Sequence, residues 1–422
     1  MTVQPPAFVI DPTGADPDAE NSALRAAGPV TRVDVLGVTA WSVTDPVLLQ
    51  KMLTSPDVSK DARQHWPLFD EAVRTWPLAL WVAVQNMFTA YGADHRRLRR
   101  LVAPAFSARR VAALKESIEQ IVTRLLDDLE EGFEHGRKTE SGSVAPGEPV
   151  DLREHFAYPL PIQVIGELMG VPEERREGFR RLVDGVFSTT LTAEESAANT
   201  AELYASFDRL VAAKRAEPGD DMTSLLIAAH DEEGDGSGLN EAEVRDTLLL
   251  MVSAGYETTV NLISNAIARL LTHPEQLAHI RAGRAGWDTV VEETLRVEPA
   301  VKHLPMRFAV RDIPLPDGRT IAAGDAILAS YAAANRHPEW HGESADVFDV
   351  TRGSHEHLSF GHGVHFCLGA PLARMEGSIA LSRFFERFPD AALAVPMDQL
   401  QRVPSLITNG HTRLPIRLKP VR

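Results

Sequence analysis

The chain of 422 residues has a single cysteine, Cys367, so no internal disulfide can form. It has no run near the roughly 20 consecutive apolar residues that a membrane-spanning helix needs. Basic residues are outnumbered by acidic ones, 43 to 59, and the formal net charge of -16 argues against nucleic acid as the main partner. The opening "MTVQPPAFVIDPTGADPDAEN" has neither a basic start nor an apolar stretch of signal-peptide length. With one thiol and no export signal, the reading is a soluble cytoplasmic protein, with no membrane and no nucleic-acid partner. Apolar residues are not scarce: they make up 44%, ample for a large core.

The pattern along the chain is mostly α with a small β portion. "RVDVLGVTAWSVTD" alternates β-formers about a turn at Gly37 and predicts a hairpin, followed by a helix start at Asp45-Pro46. From there to about residue 300 the pattern is mostly helical. Polar stretches at His135 to Asp151, at "AEPGDD" and at "DEEGDGSG" read as loops. After Pro299, "MRFAVRDIPLPDGRTIAAGDAILAS" reads as short strands with turns at Pro316-Asp317-Gly318 and Ala323-Gly324. "VPSLITNGHTRLPIRL" reads as a closing hairpin. No repeat, low-complexity tract or linker divides the chain, so one domain over residues 1–422 is expected.

The lone cysteine sits in "FGHGVHFCLGA", just before the helical pattern "LGAPLARMEGSIALSRFFERF". A buried, inert cysteine is the ordinary alternative. However, a helix N-terminus offers unpaired N–H groups and partial positive charge to a thiolate. Gly361, Gly363 and Gly369 let the backbone turn tightly and approach a flat surface. Together these are what one sulfur bound axially to a haem iron requires. His355, His357, His362, His365 and Cys367 also have the ligand types of a zinc site, which keeps a zinc-dependent hydrolase open at this point.

A second segment, "NEAEVRDTLLLMVSAGYETTVNLISNAIARLLTHP", opens on a capping box of Asn240 with Glu243 and ends at Pro274. It predicts a helix of roughly 33 residues and about 50 Å. Its centre, "AGYETT", is poorly built for helix stability. Gly255 costs about 1 kcal/mol relative to Ala, and the β-branched Thr258, Thr259 and Val260 follow. Threonine hydroxyls bond back to carbonyls and bend helices. A kink beside a buried acid and alcohol leaves room for a small ligand; a tolerated glycine in a core helix is the plainer alternative.

"FGHGVHFCLG" resembles the cysteine-ligand loop of the cytochrome P450 family, F-x-x-G-x-[HR]-x-C-x-G, with Phe360, Gly363, His365, Cys367 and Gly369 at every fixed position. Over nearly its whole length the chain is similar to soluble actinobacterial class I members, particularly family 154. The resemblance implies a single helix-rich domain with small β-sheets near its N-terminal and C-terminal thirds. It implies haem b, iron protoporphyrin IX, with Cys367 as axial thiolate. Ala254, Gly255, Phe360, Gly361 and Gly369 would surround the haem, and His95, Arg99, Arg307 and His365 would hold its propionates. Glu257 and Thr258 would occupy the acid and alcohol positions that relay protons during dioxygen activation. Glu293 and Arg296, three apart on one helical face, match the family's buried Glu-x-x-Arg, a structural pair.

The implied activity is a monooxygenase that hydroxylates a hydrophobic small molecule, such as a steroid or polyketide-like compound. Electrons would come from NAD(P)H through ferredoxin reductase and ferredoxin. Trp81, Val84, Phe187, Leu304 and Ile407 are expected in the substrate pocket. Arg96, Arg97 and Arg100 cannot all share the haem face with Arg99, and are expected to face solvent and an acidic ferredoxin. A haem-binding sensor without turnover is the remaining alternative; the acid–alcohol pair would have no use in it.

Overall fold

The computed structural model describes residues 8–139, 142–230 and 237–419. The first residues of the chain and most of the "DEEGDGSG" stretch lie outside these. The predicted hairpin forms from Val30–Val35 and Val38–Val43. Leu36 and Gly37 turn it with φ of 52° and 85°, and Asp34 Oδ1 accepts the Gly37 N–H at 2.9 Å. Asp45 then caps the helix Pro46–Thr54, its carboxylate accepting from the Leu48 N–H at 2.7 Å.

The two β portions of the sequence join in one sheet of six strands. Their order is Phe8–Val9, Val30–Val35, Val38–Val43, Ala326–Ser330, His303–Ala309 and Val58–Ser59. Ala326–Ser330 runs parallel to Val38–Val43 and antiparallel to His303–Ala309. The region His135 to Asp151 differs from its reading as a loop. Arg137–Thr139 pairs with Gly142–Val144, and Val150–Asp151 joins a three-stranded sheet with Pro415–Arg417 and Ala392–Leu393. The closing hairpin is accordingly reduced. Arg402 bridges His411, while Pro415–Arg417 pairs with those more distant strands.

The helix Glu241–Thr272 runs through the core and opens on the capping box of Asn240 and Glu243. It packs against Pro159–Met169 and Ala370–Arg387. Gly255 permits a close approach there, since a Cβ would stand 2.9 Å from Ile165 Cδ1. Thr258 Oγ1 donates to the Ala254 carbonyl at 2.7 Å, the expected back-bond. One apolar core extends through these elements, from Ile10 to Leu418. Among the described residues no helix is long and apolar enough to cross a membrane.

Two buried histidines lie apart from the cysteine loop. His341 Nε2 meets the Glu356 carbonyl at 2.9 Å. Burial first, then Arg296, pushes His341 from 6.5 down to about 4. Burial and Arg402 push His411 from 6.5 to about 4 as well. Both stay neutral in the fold while the unfolded chain takes protons below 6.5. Their contribution is therefore full above pH 6.5 and is lost as pH falls toward 4, by at most about 3 kcal/mol each. Glu376, raised from 4.5 to about 8 by burial, acts in the opposite direction. Melting temperatures between pH 7 and 5 should fall with pH. Replacing both His341 and His411 with Gln should flatten that slope, and an equally steep slope in the double variant would contradict the assignment.

Candidate functional site

The cysteine loop is held from three sides. Within it, Gly361 and Gly363 adopt φ of 71° and 70°, and the Cys367 N–H returns to the Phe360 carbonyl at 2.9 Å. Gly363 also meets the helix Pro46–Thr54 so closely that a Cβ would stand 2.9 Å from the Leu53 carbonyl oxygen. From one side, Arg99 Nη2 donates to the Phe366 carbonyl at 2.7 Å. From below, the helix Trp287–Val297 supplies two adjacent glutamates. Glu292 accepts from Arg374 Nε at 2.6 Å and lies 3.2 Å from His357 Nε2. Glu293 accepts from Arg296 Nε and Nη2, both at 2.7 Å, and from the Asp349 N–H at 2.8 Å. His355 Nδ1 lies 3.1 Å from Glu293. Arg296 also donates to the Ala345 and Val347 carbonyls, so the segment leading into the loop is anchored to this pair.

This arrangement accounts for three of the four histidines that pointed to zinc. His355 and His357 face Glu293 and Glu292, while His365 faces the His95 ring with centroids 4.2 Å apart. Among the described residues, no group of three or more His, Cys, Asp or Glu side chains could hold a metal ion.

Above the loop lies a cavity of about 1380 Å³ of empty space, solvent at its mouth included. Cys367 is exposed to this cavity. Burial raises its thiol pKa, against the Gly369 and Ala370 N–H groups and the charges of Arg99 and Arg374, which favour the thiolate. Ala254, Gly255 and Thr258 form the part of the wall opposite in sequence, and Phe360, Gly361, His365 and Gly369 line it as well. Arg99 and Arg307 reach it, with Arg307 Nη1 buried and without a partner. His95 is buried behind His365, and its Nε2 is also unpartnered. Burial, then neighbouring positive groups, hold His95 near 4 and His365 near 2, so both are neutral at pH 7.

Six residues are placed differently from the sequence reading. Glu257 is not on the cavity wall. Its Oε1 accepts from Arg153 at 2.9 Å and from Asn261 at 3.0 Å, and Oε2 has no partner. Arg97 does not face solvent freely, for it bridges Asp94, the Gly238 carbonyl and Glu243 of the long helix. Arg96 and Arg100 are exposed as expected. Of the expected pocket residues, Leu304 lines the cavity, while Trp81 packs one layer out against Phe88 and Phe187. Val84, Phe187 and Ile407 are core. The sequence reading did not include Lys60, Glu376 and Arg153. Lys60 and Glu376 line the cavity and Arg153 pairs with Glu257. No local signal in the sequence marks Lys60, which stands in the polar stretch "PDVSKDARQ".

The helix-rich fold with this cysteine loop is that of the cytochrome P450 family, and the chain belongs to it. The family model named Cytochrome P450 matches residues 189–282 and 287–401. The solved structure of CYP154A1 from Streptomyces coelicolor A3(2) is 66% identical, covers 98% of this chain and 100% of its own, and superposes with a TM-score of 0.91. The 2-hydroxy-5-methyl-1-naphthoate 7-hydroxylase of Streptomyces carzinostaticus is 40% identical over 98% of this chain and 97% of its own length. The vitamin D(3) 25-hydroxylase of Pseudonocardia autotrophica is 35% identical over 96% and 94%. The chain is thus a bacterial cytochrome P450 monooxygenase, and the family implies a haem-thiolate cofactor.

Proposed function

We propose that the chain binds haem b through Cys367 and hydroxylates a hydrophobic small molecule, with electrons from NAD(P)H through a ferredoxin reductase and ferredoxin. The observation that carries this is the donor set of the cavity. One sulfur with two N–H partners faces a mostly apolar space, Arg307 Nη1 stands at its wall without a partner, and His95 Nε2 lies unpartnered behind His365. These fit a flat cofactor with one axial thiolate and two carboxylates. His95, Arg99, Arg307 and His365 would hold the propionates, Arg99 and Arg307 as permanent cations and the histidines as neutral donors. When bound, such a group supplies cleavage of dioxygen: one oxygen atom enters a substrate C–H bond and the other leaves as water, consuming two electrons and two protons.

The chain's own residues manage substrate and protons. Ile165, Leu250, Met251, Leu304 and Phe88 give the cavity an apolar wall, which selects hydrophobic substrates by desolvation. The hydroxylases of naphthoate and vitamin D(3) among the relatives support a ring-bearing substrate of polyketide-like or steroid-like shape. Thr258 lines the wall with its hydroxyl proton given to the Ala254 carbonyl, so its oxygen is an acceptor there that can hold a proton-donating water. Glu257 stands one residue behind; proton transfer from it requires leaving Arg153 or a water bridge from its free Oε2. Arg96 and Arg100 form the exposed face of Gly92–Val102, the helix that Arg99 ties to the cysteine loop, and are the proposed ferredoxin contacts. The cytoplasm, where such carriers are reduced, is the compartment this reading requires.

Reduction under carbon monoxide tests the cofactor directly. The wild type should give the thiolate-type Soret band and Cys367→Ser should lose it while staying helical by circular dichroism; an unaltered band in the variant would remove Cys367 as ligand.

Thr258→Ala should retain haem but divert reducing equivalents to peroxide. Product formed per NADPH consumed measures this, and unchanged coupling would exclude Thr258 from proton delivery.

Ferredoxin-driven haem reduction in stopped flow should slow as salt rises, because charges beyond the Debye length of about 10 Å at 0.1 M are screened. Arg96→Glu with Arg100→Glu should slow it further and flatten the salt slope, with haem content unchanged. A double reversal that leaves both rate and slope intact would move the docking face elsewhere.

A further inference from the structure

The cavity contains a lysine that nothing above uses. Lys60 follows the short strand Val58–Ser59, which pairs Val58 with Ala309 and Ser59 with Phe308. Continuing that register sets Lys60 opposite Arg307, on the same face. Both are nearly inaccessible, 3% and 4% exposed, and both line the cavity. Like charges placed directly across two strands repel, and neither can shed the field into water. The Lys60 ammonium has only weak compensation. Nζ donates to the Pro305 carbonyl at 3.2 Å and stands 3.7 Å from the centre of the Phe88 ring. Burial and then Arg307 hold its pKa well below 10.5. Among the described residues no carboxylate forms an ion pair with Lys60. The carboxyl group on the cavity wall, Glu376, is raised to about 8 by burial alone and has no cation acting on it.

We infer that Lys60 is a carboxylate anchor: a buried ammonium, set beside Arg307 at the cavity wall, whose partner is an anionic oxygen pair brought by a bound molecule. A dry cation cluster without an anion is the arrangement that a charge-assisted hydrogen bond to a carboxylate completes. Two sources supply that chemistry. One is a propionate of the cofactor, shared with Arg307. The other is a carboxylate on the substrate, reached over the Phe88 ring. Arg99 and Arg307 already match the two propionates of a haem in charge, so Lys60, protonated as an anion arrives beside it, is left for a substrate acid. The inference rests on the haem reading above, and fails separately from it: a wild type without a haem-thiolate spectrum overturns that reading, whereas Lys60 is judged only in protein that has the spectrum.

The test uses the haem-loaded wild type, Lys60→Met and Lys60→Gln, the first keeping the apolar stem and the second a neutral donor. Haem transfer to excess apomyoglobin and spectral titration with 1-naphthoate and 1-naphthamide are measured for each. If the anchor takes a propionate, both variants release haem roughly tenfold faster with the acid-to-amide preference unchanged. If it takes a substrate carboxylate, haem release stays at the wild-type rate and the wild-type preference for 1-naphthoate over 1-naphthamide drops roughly tenfold. Wild-type haem release together with a wild-type acid-to-amide ratio in both variants, including the case where neither probe binds, overturns the inference.

Discussion

The cysteine side of the molecule depends on a guanidinium that has no exposed surface. Arg296 and Glu293 are both fully buried, and the pair repays its desolvation through the further hydrogen bonds that its other donors and acceptors make. Arg296 reaches the Ala345 and Val347 carbonyls, and Glu293 accepts from Asp349 and faces His355. The pair is therefore less a salt bridge than a template that fixes residues 345–355. Leaving either charge alone would cost about 3–5 kcal/mol, a large share of the 5–15 kcal/mol by which a domain is usually stable. Glu292, next in sequence, fixes Arg374, whose guanidinium covers the Phe360 ring at 4.6 Å. Two neighbouring carboxylates on one helix thus hold both ends of the cysteine loop.

Charge is segregated inside the cavity in a way the net charge of -16 does not foretell. The acidic excess lies outside, while Lys60, Arg99 and Arg307 are gathered at the wall near His95 and His365. The histidines stay neutral first because they are buried and then because cations are near, Arg99 for His95 and Arg307, Lys60 and Arg99 for His365. Neutral rings donate hydrogen bonds without adding to the repulsion. The cluster is costly by itself and becomes favourable once carboxylates enter it, so binding energy and folding energy are coupled at this wall.

Contiguous patterns were legible in the sequence. The cysteine loop lies within ten residues, and its glycines are required by local backbone geometry at Gly361 and Gly363. The capping box of Asn240 and Glu243 and the Asp45-Pro46 helix start involve residues three apart, and both stand as read. Pairings between distant segments were not legible. Arg97 read as one of a basic run, yet Glu243, 146 positions on, holds it. Lys60 looks like a surface residue until the strand His303–Ala309 covers it. Trp81 and Phe187 have the character of pocket residues, but the cavity is shaped by Phe88 and Leu304 in front of them. The strands Val150–Asp151 and Pro415–Arg417 were hidden for the same reason, each being two or three residues long and meaningful only beside the other.

The acid and the alcohol at residues 257 and 258 illustrate how far helical geometry constrains the chemistry. Adjacent positions on a helix do not face the same way. Thr258 lines the cavity whereas Glu257 points elsewhere, its carboxylate accepting from Arg153 and Asn261. Arg153 is 1% exposed and pairs with Glu257, so the carboxylate is kept out of the apolar cavity yet within one residue of it. Gly255 is the third part of this arrangement. It lets the helix Pro159–Met169, which follows the Arg153 segment, close onto the long helix at the level of the cavity. A bulkier residue there would first displace the Ile165 side chain. The sequence Ala-Gly-Tyr-Glu-Thr-Thr therefore sets a wall, an approach distance and a sequestered carboxylate together.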